Sequence, residues 1–321
     1  MTHEVLVAGE TLIDFLPERP GPLSAVDGFE RRPGGAPANV AVALARLGEV
    51  PLFWTRVGDD PFGRYLADVL ADRGLPDRFV ERDPDAQTTL AFVTHDEAGD
   101  RTFSFYRDDT ADTRLEPGTV GDDVLADLAW VHAGAVALSG GSSRAATLDL
   151  LERAAAAGCT VSFDPNARPE LWPDEATFAR VVREALAHVD VCKGTVEEFG
   201  TLGFEGSSPV EVARAVVADG PHTALVTRGS EGAVAVAGED APWPSGVVDH
   251  PGYAVDAVDT TGAGDAFVAG AIAALRDGED LAEALAFASA VAATATTAAG
   301  AMAALPDREA VRSFRARADG D

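Results

Sequence analysis

Glu4 to Gly9, apolar through its middle, reads as a buried strand. A Gly/Pro-rich stretch from about Pro17 to Pro37 reads as a loop, with Pro37 at a first helical position. Asn39 to Leu47 then sets apolar residues at helical spacing and stops at Gly48. Leu52 to Val57 predicts a strand, and Asp59-Asp60-Pro61 opens a helix that ends before Gly74. Thr88 to His95 and Arg101 to Tyr106 alternate apolar and polar positions around Glu97-Ala98-Gly99-Asp100, a β-hairpin signature.

Beyond the hairpin, strands and helices take turns. Strands are expected at Trp130 to Ala135, Thr160 to Asp164, Asp190 to Cys192 and Ala224 to Thr227. Helices are expected at Ser143 to Ala157, Ala176 to Ala187, near Glu197 to Leu202, and at Val210 to Ala218. Gly264 to Leu275, Leu281 to Thr297 and a last segment from Arg308 close the chain as helices. This alternation predicts an α/β fold, a doubly wound and mainly parallel sheet flanked by helices. The early hairpin would form a small sheet appended to that body. No internal repeat and no long linker interrupts residues 1–321, which read as one domain.

Composition narrows the class. The chain is 46% hydrophobic and 24% charged, ordinary for an ordered globular protein. Its 53 acidic and 25 basic residues give a net charge of −28, spread along the chain like a solvated surface. That balance argues against broad binding to nucleic acid or to an anionic membrane. Cys159 and Cys192 are too few for a disulfide framework, and the first residues carry neither the basic nor the long apolar region of a signal peptide. The longest apolar stretches are alanine-rich and broken by Ser, Thr or Gly, so no membrane span is expected and a reduced, cytoplasmic setting fits. Lys193 is the only lysine among the 25 basic residues. An acidic, lysine-poor chain resembles proteins of salt-loving microbes, where a Debye length of roughly 3 Å in molar salt mutes self-repulsion. A GC-rich genome would explain the preference for arginine equally well. The lone lysine also excludes a Walker A loop and the protein-kinase pattern, because it follows Cys192 and precedes Gly194.

Two segments carry candidate chemistry. In Asp256-Ala257-Val258-Asp259-Thr260-Thr261-Gly262-Ala263-Gly264-Asp265-Ala266-Phe267 a turn of small residues runs into a helix. The N–H groups of Gly262, Ala263 and Gly264 can converge there, with the helix dipole, as an anion site. Asp265 is then either a plain helix-start residue or a base beside an anion hole. A dinucleotide fingerprint would need a small residue at Phe267. The second segment, Pro33-Gly34-Gly35-Ala36-Pro37-Ala38-Asn39, is either an ordinary loop-to-helix turn or a place where backbone approaches a ligand and Asn39 donates and accepts.

Gly34-Gly35-Ala36-Pro37-Ala38-Asn39 and Asp259-Thr260-Thr261-Gly262-Ala263-Gly264-Asp265 resemble the two signatures of the PfkB/ribokinase family of carbohydrate kinases, in the family's order and near the two ends of the chain. Within that family the likeness is greatest to fructokinases. Gly9-Glu10-Thr11-Leu12-Ile13-Asp14-Phe15 resembles their opening strand, which implies Asp14 on sugar hydroxyls beside Gly34, Gly35 and Asn39. Phe103-Ser104-Phe105-Tyr106-Arg107 with Ala111-Asp112 resembles their lid segment, which implies Tyr106 and Arg107 at the sugar. Asp164-Pro165-Asn166 through Arg168 to Leu171-Trp172-Pro173 resembles a stretch shared with 2-keto-3-deoxygluconate kinases, bringing in Asn166 and Arg168. Arg107 and Arg168 would serve a sugar carboxylate, meet phosphates, or hold a carboxylate of the protein. Lys193-Gly194-Thr195-Val196-Glu197-Glu198 resembles the family's metal-linked motif with Thr195 in place of Asn, so Glu198 is expected to act on Mg²⁺ through water. Lys193, Thr227, Gly229, Gly232 and Ser289 fall at the implied ATP site, and Asp259 with Thr261 at the ribokinases' monovalent-cation site, which suggests K⁺.

The resemblance thus implies an ATP-dependent sugar kinase with a ribokinase-like body and a small β lid from about residues 10–35 and 86–112. Asp265 would be the general base on a primary hydroxyl, and Gly262, Ala263 and Gly264 the anion hole. The lid offers a face for a homodimer. The rival substrates are 2-keto-3-deoxygluconate and a nucleoside; the rival classes are a nucleotide-binding oxidoreductase and a non-catalytic sugar sensor.

Overall fold

The computed structural model describes residues 3–19, 21–95 and 101–318. The turn expected at Glu97 to Asp100 lies outside the described residues. Among those described, nine strands form the larger sheet. Their order is β13 (Gly246–His250), β12 (Ala233–Ala237), β11 (Thr223–Thr227), β10 (Val191–Thr195), β9 (Thr160–Asp164), β8 (Trp130–Gly134), β1 (Val5–Ala8), β4 (Leu52–Gly58) and β5 (Val80–Asp83). From β11 to β5 all neighbours are parallel, and β12 and β13 close one edge antiparallel.

The apolar run at β1 explains its place in the middle. Val5 and Val7 point into one core and Leu6 and Ala8 into the other, so neither face tolerates water. One face is covered by α1 (Ala36–Arg46), α8 (Ala263–Arg276), α9 (Leu281–Ala295) and α10 (Arg308–Ala318). On the opposite face lie α3 (Asp122–Leu125), α4 (Ser143–Ala157), α5 (Glu175–Leu186), α6 (Val196–Thr201) and α7 (Pro209–Val217). Helix α2 (Pro61–Asp72) is capped by Asp60, whose carboxylate accepts from the Phe62 and Gly63 N–H groups at 2.8 Å. Cys159 and Cys192 are buried free thiols. None of the described helices is long and apolar enough to cross a membrane.

A separate four-stranded sheet has the order β3 (Phe29–Gly34), β2 (Leu12–Pro17), β6 (Leu90–His95) and β7 (Arg101–Tyr106). Strand β3 corrects the expectation of a loop from Pro17 to Pro37. Its Phe-Glu-Arg-Arg-Pro-Gly sequence hides any alternation, yet it pairs with β2 from Pro17↔Phe29 to Leu12↔Gly34. As an edge strand it accommodates Pro33, whose missing N–H would break a central one. Strands β5, β12 and β13 were likewise not predicted from pattern. β13 is largely exposed and β12 is an all-small Ala-Val repeat, so neither carries the contrast that marks a strand.

After β5 the chain crosses from one side of β1 to the other and resumes at β8. In doubly wound sheets that reversal opens a crevice at the carboxyl ends of the strands, where ligands bind.

Candidate active site

The carboxyl ends of β1, β8, β9, β10 and β11 open into a cleft of about 760 Å³. Leu12, Asp14, Phe103 and Phe105 of the small sheet line one end, Tyr253, Ser289 and Thr296 the other. The start of α8 lies between them. Gly262 is left-handed (φ +75°), and a Cβ there would stand 2.8 Å from that of Ala301, so only glycine makes this turn. Gly262, Ala263 and Gly264 line the cleft beside Asp265, with the Ala263 N–H donating to the Thr260 carbonyl at 3.3 Å.

Asp265 Oδ2 accepts a 2.7 Å hydrogen bond from Asn39 Nδ2. Burial raises the Asp265 carboxyl to about 6, with Asp164 adding to it, against the Asn39 hydrogen bond and the charges of Lys193 and Arg168. A carboxylate poised there is ionised at neutral pH yet basic enough to take a proton. Beneath it, Lys193 Nζ donates to Asp164 Oδ2 at 2.8 Å, in a pair whose side chains are only 10% and 8% exposed. Burial alone would lower the Lys193 pKa; Asp164, Glu198 and Asp265 outweigh it and hold the ammonium above its usual range. Its Nζ lies 3.1 Å from where a Cβ of Gly264 would sit, so the single lysine reaches the underside of the anion site. Neighbouring His132 is pushed down to about 4, chiefly by burial, and stays neutral.

At the end next to the small sheet, Gly35 (φ +103°) turns the chain so tightly that a Cβ would meet the Glu10 carbonyl oxygen at 2.5 Å. The Asp14 carboxylate lies across the same turn, 2.0 Å from the Cβ position of Gly34. Asn166 also lines the cleft in a left-handed conformation (φ +37°), its N–H donating to Asp164 Oδ1 at 3.0 Å. The Arg168 guanidinium stacks 5.1 Å over the ring of Phe103, joining the body to the small sheet across the opening.

Two expected sugar residues stand elsewhere. Tyr106 is 63% exposed and packs on Phe92, away from the cleft. Strand alternation is the reason: Phe103 and Phe105 of β7 face inward, so Tyr106 faces outward. Arg107 is consumed by the protein, donating at 2.6 Å to Asp112 Oδ2 and to Ser139 Oγ, in a buried pair outside the cleft lining. Of its three readings the one that holds a protein carboxylate is the one seen. Sequence reasoning gave no role to Glu10, Phe103 or Phe105, all of which line the cleft. A carboxyl directly after the first buried strand was the available signal for Glu10, and inward phase along β7 that for the two phenylalanines.

Thr227, Gly229 and Gly232 line the far end with Ser289, whose Oγ is buried without a hydrogen-bond partner. Glu198 lines the cleft too, but as half of a capping box. Its Oε2 accepts from the Thr195 N–H at 2.9 Å, its N–H donates to Thr195 Oγ1 at 3.1 Å, and its Oε1 accepts from the Ala167 N–H at 3.1 Å. Thr195, where the family's motif has Asn, caps α6 through its hydroxyl. Asp259 braces the turn before α8, accepting from the Thr261 N–H at 2.9 Å and, on its other oxygen, from the Gly300 N–H at 2.9 Å.

Similarity to known proteins extends over nearly the whole chain. The chain is 36% identical over 318 residues to a fructokinase of Vibrio alginolyticus, covering 97% of this chain and 99% of that one. The crystal structure of fructokinase with bound ATP from Xylella fastidiosa superposes with a TM-score of 0.87 at 33% identity, covering all of both chains. A double mutant of Vibrio cholerae fructokinase, in a form with fructose, ADP and potassium ion bound, gives 0.83 at 33% identity over 98% of each chain. Residues 2–308 match the pfkB family of carbohydrate kinases, and the chain belongs to that family.

Proposed function

We propose that this ATP-dependent sugar kinase phosphorylates a primary hydroxyl of fructose. The observation that carries the reading is Asp265, set by Asn39 at the point where the sugar-side turn meets the start of α8. Asp265 takes the hydroxyl proton as the sugar oxygen attacks the γ-phosphorus in line. The bond to the β-phosphate oxygen breaks and ADP leaves. The N–H groups of Gly262, Ala263 and Gly264, with Lys193 beneath them, offset the charge on the transferring group. Asp14, Gly34, Gly35, Asn166 and Arg168 surround the sugar, and closure of the small sheet as a lid excludes water as a competing acceptor. The relative named fructokinase in Vibrio alginolyticus and the fructose-bound Vibrio cholerae structure support the choice of sugar. So does the Arg107–Asp112 pair, which removes one of the two cations a 2-keto-3-deoxygluconate carboxylate would need.

Thr227, Gly229, Gly232 and Ser289 would hold the nucleotide. Among the described residues no group of three His, Cys, Asp or Glu side chains is placed to hold a metal ion. The Mg²⁺ of the reaction, which neutralises phosphate charge, would therefore rest on phosphate and water, with Glu198 as an outer carboxylate. A K⁺ ion would lie by Asp259 and Thr261, where Arg32 already brings a guanidinium to 3.8 Å of Asp259. The aromatic face of the lid, Phe15, Phe29, Phe92 and exposed Tyr106, is the surface we assign to a homodimer. Two buried thiols and the acidic surface fit a cytoplasmic enzyme without nucleic-acid or membrane partners.

A coupled ADP-release assay over a sugar panel tests the reading. Turnover on fructose is expected; turnover on 2-keto-3-deoxygluconate or a nucleoside without fructose would overturn the substrate, and turnover on no sugar would leave a sensor.

A further inference from the structure

Helix α1 begins badly on its own terms. Gly35 at its N-cap has no side chain to accept from the first amides, and Pro37 has no N–H. The Ala36 N–H finds its acceptor outside the helix, in Glu10 Oε1 at 3.2 Å. Glu10 is 3% exposed, and its carbonyl is the group against which Gly35 packs. Its second oxygen, Oε2, is buried with no hydrogen-bond partner. Glu10 also borders a small cavity of about 10 Å³, walled by His132, Asp164, Asn166 and Asp265. That is room for about one water.

We propose that Glu10 is a positioning residue for phosphoryl transfer: by capping α1 at Ala36 it sets how Asn39, three residues on, meets Asp265. The inference rests on the reading of Asp265 as the base. Glu10 acts through the helix, so its removal leaves every group of the reaction in place but loosely held. Burial, ahead of its charged neighbours, raises the Glu10 carboxyl to about 7, with Asp112 adding and Arg107 opposing. Near neutrality it is thus partly the uncharged acid, which glutamine imitates in shape and in its acceptor.

The test is a set of variants assayed from pH 5 to 9, with melting temperatures. Glu10→Asp is too short to cap Ala36 and should lose on the order of 10–100-fold in kcat while KM for ATP holds. Asp265 is faced by Asn39 from α1, Asp164 from β9, Arg168 from the following loop, Lys193 from β10, and across the small cavity by His132 and Glu10. Of these, Asn39 is the one whose bond Glu10 controls, and that bond lowers the Asp265 pKa. The acid limb of kcat/KM should then move up by about half a pH unit in Glu10→Asp, and Glu10→Gln should bring it back. In an Asn39→Ala background Glu10→Asp should cost little further. Fully multiplicative losses in the double variant, or a lowered melting temperature with turnover and acid limb unmoved, would overturn the proposal. Asp265→Asn is run alongside, because undiminished turnover there would sink the base assignment instead.

Discussion

Asn39 and Asp265, 226 residues apart, meet through a 2.7 Å hydrogen bond that ties the first turn of α1 to the first turn of α8. The two family signatures are thus one object in space, an amide holding a carboxylate at the wall of the cleft.

Asp265→Asn should lose on the order of 10²–10⁴ in kcat. It should also melt higher. A carboxyl whose folded pKa is raised weighs against folding above that pKa, and the amide removes a cost of about 3 kcal/mol. Calorimetry and the coupled assay on one preparation check both, and a variant that is dead because it is unfolded would refute the account.

Activity should fall as the pH drops through about 6, the value to which burial raises Asp265, because only the ionised carboxylate accepts the proton. Asn39→Ala removes a bond that lowers that value, so its acid limb should move to higher pH. A limb that moves down or stays would contradict the assignment.

Lys193→Met leaves Asp164 buried without its partner and the anion site without its cation. The expected cost is about 3 kcal/mol or more in stability, together with a large loss of kcat. If denaturant titration finds the variant as stable as the parent, the pair is not as closely coupled as its 2.8 Å separation suggests.

Phe103→Ala removes the ring beneath Arg168 and should raise KM for the sugar by about tenfold, a loss in the range of one buried aromatic contact, with KM for ATP unchanged. Tyr106→Ala should leave both constants near those of the parent, since the phenol points away from the cleft. The reverse ranking would mean that β7 is out of phase with the strand described above.

With a net charge of −28, activity and melting temperature should rise with KCl toward molar concentrations, as a Debye length of about 3 Å quenches repulsion at the surface and toward ATP. If K⁺ acts at the Asp259 turn as proposed, a parallel series in NaCl separates screening from the specific ion. An enzyme fully active in dilute buffer would count against a saline habitat.

The body of the fold was legible because its signals are local. Gly158 stops α4, Asp60 caps α2, and an unbroken apolar run marks β1. Strand β3 was not, since Arg31, Arg32 and Pro33 are set by pairing with β2 rather than by their own pattern. The anion turn and its aspartate could be read from small residues before a helix. The partner of Arg107 could not, because Asp112 lies five positions on, in the short 3-10 turn Ala111–Arg114, and only the fold brings the two together. Tyr106 failed for a simpler reason. A motif names residues, while the face a strand residue shows depends on its phase.

The burial of Lys193 also shapes what reagents can find. The chain has no other lysine, so no ε-amine stands on its surface. Amine-directed chemistry, whether acylation by a metabolite or a laboratory label, has one ε-amino target, and that target is ion-paired at the floor of the cleft. A reagent that acylates Lys193 must enter through that cleft, and the rate of its capture becomes a clock for the opening of the site.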